Sequence, residues 1–431
     1  MSTWAATPAL ARACTVAGAA LVGAVGLGSP ALVVLAAPLL FLAVLGIAHR
    51  PHTSPRLRND LGAHRLHEGQ GVVSTLQVQP LDGAEQVTRV LDRAAYVALA
   101  PACGAVGGLV RGGVRDGVPT AGIGATRWGR RPLGSEQVAL TSPWAGFRWG
   151  PTDLPAIDVV VMPHAAAFDS HAEAPRPDGL VGAHRSARVG SGSEFSGIRG
   201  FHPGDRLRRI HWPVSLRTGV LQVVSTRSEL DSGVLVVVDA LGEVGRSGGV
   251  HGSASSLDLT VRAASALIEH HIREGDRVGL RVVGPSDVRI PLGTGTRHLH
   301  RLVGTLARVV AGTRHVDRDA TLDLGVQGDC VVYVLSPMLH LPVVNATATL
   351  TRHGVPVLAI DTLGERDLDL LGGPRSRAGL AWRMRRVERD NLLERLVGLG
   401  CPVVPWRGPG TVDEVLRRLA RRAQQPRMRV R

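Results

Sequence analysis

The chain contains no lysine: all 50 of its basic side chains are arginine. That absence excludes a phosphate-binding G-x-x-x-x-G-K-[ST] loop, whose Lys must reach the β/γ-phosphates. Cysteine is scarce as well, with only Cys14, Cys103, Cys330 and Cys401 and no C-x-x-C pair. The four read as free, packed thiols in a reducing compartment, not as a disulfide frame or a zinc site. Aromatics are few: seven Trp, two Tyr and five Phe. They form no stripe interleaved with basic residues on which bases would stack. The formal net charge of +14 would by itself point to nucleic acid or an anionic surface. Its source is Arg alone, in a chain rich in Ala, Gly and Val, so it reads as a composition bias and nucleic-acid binding is not expected. No H-E-x-x-H is present either.

What is abundant is apolar sequence, and it is concentrated at the start. The 431 residues suffice for two or three domains. Residues 1–50 hold two charge-free runs, Ala13–Ser29 and Ala31–Ala48, separated by a Gly-Ser-Pro turn at 28–30. Each is close to the lower limit of about 17–25 residues for a membrane-spanning helix. The turn carries no charge, whereas Arg12 flanks one end and Arg50, Arg56, Arg58 and Arg65 flank the other. The positive-inside rule then predicts a two-helix hairpin in the inner (cytoplasmic) membrane, with the bulk of the chain cytoplasmic. A cleaved signal peptide covering the first run is the rival reading, and the second run argues against it.

Residues 51–68 read as a linker rich in Pro and Arg at its start. From 69 to 165 short apolar runs alternate with turn residues, predicting a small β-sandwich-like domain with no visible catalytic constellation. Residues 166–189 lack periodicity and read as an irregular connection.

Residues 190–231 form a motif segment in which Glu194 and Asp205 sit among Arg199, Arg206, Arg208, Arg209 and Arg217. The planar guanidinium suits bidentate pairing with carboxylates, so buried Arg–carboxylate pairs with Ile210 and Trp212 as apolar anchors are expected. The order E-F-x-G-x-R, aromatic, P-G-D, R-x-I-x-W, R-x-G-x-L resembles the bacterial domain-of-unknown-function 58 family. Here it is carried by Glu194, Phe195, Gly197, Arg199, Phe201, Pro203, Gly204, Asp205, Arg208 or Arg209, Ile210, Trp212, Arg217, Gly219 and Leu221. Phe201 replaces a usual Tyr, and Pro213 stands where a basic residue is common. The resemblance implies a membrane hairpin, a β-rich middle, a von Willebrand A-like domain, and partnership with a MoxR-type AAA+ ATPase. The motif either holds the domains together or forms a docking surface.

Residues 232–425 alternate buried strands with amphipathic helices, which predicts a doubly wound α/β sheet. No G-x-G-x-x-G follows its first strand, so nucleotide binding is not expected. The von Willebrand A resemblance raises the question of Mg²⁺ held by D-x-S-x-S after that strand. Here Asp239 is kept, but Leu241 and Glu243 occupy the two Ser positions, and Ser336-Pro337 stands where a later Asp would be. A degenerate metal site and no cofactor are therefore expected. These readings together predict a membrane-anchored, non-catalytic interaction or assembly factor whose clients the sequence does not name. The alternatives are a metal-assisted hydrolase using Asp239, Glu243 and Asp361, or a sensor of anionic envelope or lipid headgroups.

Overall fold

Two apolar helices open the chain in the computed structural model, α1 over Pro8–Leu27 and α2 over Pro30–Ala48. Thr7 caps α1 by accepting from the Leu10 amide, with Pro8 at the first helical position, where its missing N–H costs nothing. Gly28 ends the helix with the left-handed φ of 59° that glycine tolerates. The helices meet through Leu10, Ala17 and Ala24 on one and Ala36, Ala43 and Gly46 on the other. The recurring seven-residue step places small side chains on one seam and lets the backbones approach closely. Both helices are long and apolar enough to cross a membrane, and only 17% of each apolar window is buried. Val22, Val25, Leu27, Val34 and Phe41 are among the large side chains left facing outward.

The structure describes residues 3–164 apart from 82 and 111–117, and residues 189–411 apart from 202–206, 208–209, 228–232, 313–320, 327–329, 365–375 and 409. It divides into two units, 1–164 with 248–253, and 165–247 with 254–431. Residues 166–188 of the predicted irregular connection, and residues 412–431, lie outside the described residues.

The first unit continues the helices into β-structure. Strands β1 (Ala5–Ala6), β5 (Gln86–Leu91), β7 (Ala105–Leu109), β10 (Glu136–Thr141) and β11 (Phe147–Leu154) form one sheet, ordered β1-β11-β10-β5-β7. Strands β2 (Arg56–Leu61), β4 (Gly71–Gln79), β6 (Val97–Ala100) and β8 (Ala121–Ala125) form a second, ordered β2-β4-β8-β6. A third joins β3 (Arg65–His67), β12 (Ile157–Met162) and β9 (Gly129–Leu133). Two apolar cores lie between them, one built on Val87, Val138, Leu140 and Trp149 with Leu76 and Val78, the other on Ile123, Leu133, Val159 and Val161. The segment expected to be a linker, 51–68, instead contains β2 and β3. Its alternation of inward Leu57, Asn59 and Leu61 is hidden by the charged Arg56, Arg58 and Asp60 between them.

At the centre of this unit Arg89 and Glu136 are fully buried. Arg89 Nε and Nη2 donate to the two Glu136 oxygens at 2.7 and 3.0 Å. Nη2 also reaches Ser74 Oγ at 2.7 Å, and Nη1 donates to the carbonyls of Ser74 and Pro119. Ser74 Oγ donates in turn to Asn59, whose amide donates to Gly134 O. The network ties β5 and β10 of one sheet to β4 and β2 of the other. A charge this deep is tolerated because the guanidinium fork is matched by acceptors.

The second unit carries a hairpin of β13 (Val189–Gly200) and β14 (Gln222–Arg227) and the short helix α3 (Trp212–Thr218). Its main sheet combines β15 (Gly233–Asp239), β16 (Arg277–Val283), β17 (Val288–Gly293), β18 (Cys330–Ser336), β19 (Val357–Asp361) and β20 (Val403–Pro405). The order is β17-β16-β15-β18-β19-β20, parallel throughout except for the antiparallel edge β17. Helices α4 (Ser256–Arg273), α5 (Thr296–Leu306), α6 (Leu341–Arg352) and α7 (Arg377–Gly398) complete it. Every residue of β15 and β18 is buried, as a strand covered on both faces requires. Leu235, Val237, Val332 and Val334 pack with α6 and α7 residues, while their neighbours of opposite pleat face the other way. Among the cysteines, Cys330 and Cys401 are packed as expected, whereas Cys14 and Cys103 are exposed.

Removing one partner of the Arg89–Glu136 pair, by Arg89→Leu or Glu136→Gln, is expected to destabilise the first unit by about 3–5 kcal/mol. The double replacement Arg89→Leu/Glu136→Leu is expected to cost less than the sum of the single changes. Denaturant unfolding of the detergent-solubilised chain, read as a double-mutant cycle, checks this; additive costs would contradict it.

Candidate functional site

The sheet order reverses between β15 and β18, and in open α/β sheets that point is where a crevice for ligands forms. Asp239 ends β15 there and is 1% exposed. Its Oδ2 accepts from Ser336 Oγ at 2.6 Å, and its Oδ1 accepts from the Leu241 amide at 3.0 Å. Ser336 Oγ also accepts from the Met338 amide at 2.8 Å. His340 Nδ1 stands 3.6 Å from Asp239 Oδ2, beyond hydrogen-bonding distance. Thr362 and Thr260 share a 2.7 Å hydrogen bond below this cluster.

The other positions of the degenerate metal site turn elsewhere. Leu241 packs against the apolar core and lines a crevice of about 510 Å³ with Arg281, Asp287, Arg289 and Asp323. In that crevice Arg281 pairs with Asp287 at 2.5 Å, and Arg289 donates to Gly325 O. Glu243 accepts from Ser255 Oγ at 2.5 Å. Ser255 is the N-cap of α4, in a capping box with Asp258, so Glu243 extends a helix cap. Asp361, the third acid of the hydrolase reading, is ion-paired with Arg389 and accepts from the Leu363 amide. Arg389 also donates to Pro337 O at 2.8 Å. The carboxylates at this edge are thus spent on protein donors, and Leu241 offers no ligand. These residues do not fit Mg²⁺, which needs an octahedron of oxygens. Among the described residues no group of three His, Cys, Asp or Glu is placed to hold a metal ion.

The motif segment is only partly visible. Gly204, Asp205, Arg208 and Arg209 lie outside the described residues. Glu194 and Phe195 lie on β13, with Phe195 opposite Thr226 in register. Arg199 follows on β13, half-buried, with Nη1 donating to Gly200 O at 3.0 Å. Ile210 is buried and bridges to Val223, as an anchor should. Trp212 is not an anchor: it is 58% exposed at the start of α3. His211 caps that helix through Nδ1, and Ser215 Oγ ties it to the Gln222 amide at 2.8 Å. Those bonds hold the backbone, so the outer face is free to be apolar. Leu216 follows at 81% exposure four residues on, and Leu207, Val220, Leu221 and Arg217 are exposed in the same segment. Contiguous apolar surface facing water marks interaction sites.

A second polar group was not legible in the sequence. His271 on α4 bonds Asp276 through Nδ1 at 2.7 Å and the Tyr333 hydroxyl through Nε2 at 3.2 Å. Tyr333 sits inside the sheet on β18. Burial, and then the Asp276 carboxylate, push its phenol above the usual value near 10.

Asp239→Ala is expected to destabilise the second unit by about 1–3 kcal/mol, because the Ser336 hydroxyl and the Leu241 amide lose their acceptor. Added Mg²⁺ is expected to leave the wild-type melting temperature unchanged; a rise would contradict the geometry. The Tyr333 contribution is complete below the unfolded value of about 10 and lost as pH rises through the higher folded value. With no Lys in the chain, few other side chains titrate there. Unfolding free energy should therefore fall above about pH 10, by up to about 1.4 kcal/mol per pH unit, and Tyr333→Phe should flatten that fall.

Residues 197–376 match the family described as protein of unknown function DUF58. Uncharacterized proteins of Mycobacterium tuberculosis and Mycobacterium bovis are each 30% identical over 207 residues, covering 45% of this chain. The matched region spans 62% of those relatives' length. No solved structure matches. The match to this family spans both the motif's exposed helix and the sheet edge at Asp239.

Proposed function

We propose that this protein is a membrane-anchored, non-catalytic interaction factor that acts with a MoxR-type AAA+ ATPase in assembling or maturing other protein complexes. The observation that carries the reading is the apolar face of α3, where Trp212 and Leu216 stand in water. Helix positions four apart share a face, so Trp212 and Leu216 present one continuous ridge. An aromatic anchor with aliphatic neighbours and an Arg is the composition of a binding hot spot. The polar bonds beneath keep the ridge in place without a partner, which favours a preformed docking surface.

The hairpin supports anchoring in the cytoplasmic membrane. Its outward-facing Val, Leu and Phe side chains would be hydrated in solution and are matched by lipid. The Arg residues lie at its open end and none at its turn, which favours a cytoplasmic bulk. The six-stranded order with an antiparallel edge, and an Asp closing the first strand, support reading the second unit as von Willebrand A-like. The engagement of Asp239, Glu243 and Asp361 by protein donors speaks against a metal-assisted hydrolase and for metal-independent binding.

The test is retention of a purified MoxR-type ATPase by the full chain in detergent. Leu216→Glu and Trp212→Ala are expected to weaken it by about tenfold or more. Asp239→Asn is expected to leave it within experimental error. No retention of the ATPase, or equal retention by the Leu216→Glu variant, would overturn the reading.

A further inference from the structure

The first unit holds an exposed aromatic side chain that neither its core nor the proposed docking function uses. Trp144 lies in the turn Pro143–Ala145 between β10 and β11, 51% exposed. Its backbone is left-handed, with φ 60° and ψ 17°, and Ala145 follows at φ 53°. A bulky residue in that region is a genuine outlier, and glycine or asparagine would sit there at less strain. The Trp144 amide donates to Glu85 Oε2 at 3.2 Å, which helps fix the turn. Neither burial nor backbone preference explains a tryptophan here.

Position does. The turn is bolted to the open end of the helical hairpin. Thr7, the cap of α1, donates its amide to Gly146 O at 3.0 Å and its hydroxyl to Ala145 O at 2.6 Å. Gly146 lies against Gly46 near the end of α2 so closely that a Cβ on it would stand 2.8 Å from the Gly46 Cα. Next to the turn, Ala5 and Ala6 pair with Arg148 and Phe147, adding β1 to the edge of the sheet. Phe147 packs with Leu10 and Ala43, and the Arg50 guanidinium stands 5.5 Å over its ring. Turn and helix ends are therefore at one level.

Helices of 20 and 19 residues rise about 30 Å at 1.5 Å per residue, which is the thickness of a bilayer's hydrocarbon core. If they span it, both ends lie at the interface and the turn lies there with them. Tryptophan is enriched at that depth, where its ring is apolar and its N–H finds polar groups. Arg12, Arg50 and Arg148, all exposed, surround the same end, with Glu85 the acid that faces the turn. Among the described residues, three cations against one carboxylate at this end suit anionic phospholipid headgroups.

From this we infer that the Trp144 turn is a membrane-interface contact of the β-domain, seating it directly on anionic phospholipid instead of leaving it tethered at a distance. The inference rests on the reading that the hairpin spans a bilayer, and the test separates the two. The full chain, carrying Cys14→Ser and Cys103→Ser, is spin-labelled at one site at a time and reconstituted into phosphatidylcholine/phosphatidylglycerol vesicles. The sites are Trp144→Cys, Phe41→Cys in mid-α2 and the exposed strand position Val73→Cys. Collision with oxygen relative to a water-soluble nickel chelate gives the depth of each label. The expected result is a deep label at 41, an aqueous one at 73, and one at 144 at headgroup depth with a several-fold higher oxygen-to-nickel ratio than 73. A label at 144 as aqueous as that at 73, with 41 still deep, overturns the inference and leaves the anchor standing. An aqueous label at 41 overturns the anchor and the inference together. Trp144→Gly, which suits φ 60°, supplies a second measurement that does not depend on the labelled variant folding. Quenching of intrinsic fluorescence by lipids brominated near the headgroup should drop in that variant, and unchanged quenching contradicts the inference.

Discussion

The hydrogen bond from Ser336 to the Asp239 carboxylate is the contact on which the second unit's character depends. It joins the ends of two central parallel strands where the sheet changes direction. A desolvated carboxylate needs donors, and this one receives a hydroxyl and a backbone amide. Once satisfied in that way, it has little to offer a ligand. Glu243 and Asp361 have been drawn off by a helix cap and by Arg389 in the same manner. At the edge where doubly wound sheets usually form their crevice, these three carboxylates are engaged by protein donors. Under the proposed function, recognition falls to the motif helix, where Trp212 and Leu216 are exposed and the backbone is independently braced.

The first unit solves a mounting problem. Two of its three sheets are clamped by the Arg89–Glu136 fork, buried completely and bonded at every turn of the guanidinium. The hairpin is joined to that clamped body by a strand, a cap and a glycine–glycine contact, not by a flexible tether. Rigidity between helices and sheets fixes which surface of the β-domain meets whatever surrounds the helices.

Much of the second unit was legible because its strands are buried on both faces and read as continuous apolar runs. Gly233–Asp239 and Cys330–Ser336 are read directly, and the edge placement of Val288–Gly293 follows from its mixed polarity. Helix α6 was not legible: Val343, Val344, Thr347, Thr349 and Thr351 are β-branched, and their spacing imitates a strand. Thr347 and Thr351 compensate by returning hydrogen bonds to the carbonyls four residues back. In the first unit, β2 and β3 were masked by charged outward residues, and β7 and β8 by glycine. The Arg89–Glu136 pair, 47 residues apart, and the His271–Tyr333 contact, 62 apart, leave no local pattern at all. Trp212 shows the opposite failure. A tryptophan beside an isoleucine suggests an anchor, but its position at the first turn of a helix braced by His211 and Ser215 turns it outward.

The central claim is that recognition belongs to the motif helix and not to the sheet edge. Hydrogen exchange of the full chain in lipid nanodiscs, with and without a purified MoxR-type ATPase, tests it most directly. The account predicts slowed exchange for the amides of residues 212–221 on adding the ATPase, with the loop from 240 to 255 unchanged. Protection confined to that loop, or none anywhere in the chain, would contradict it.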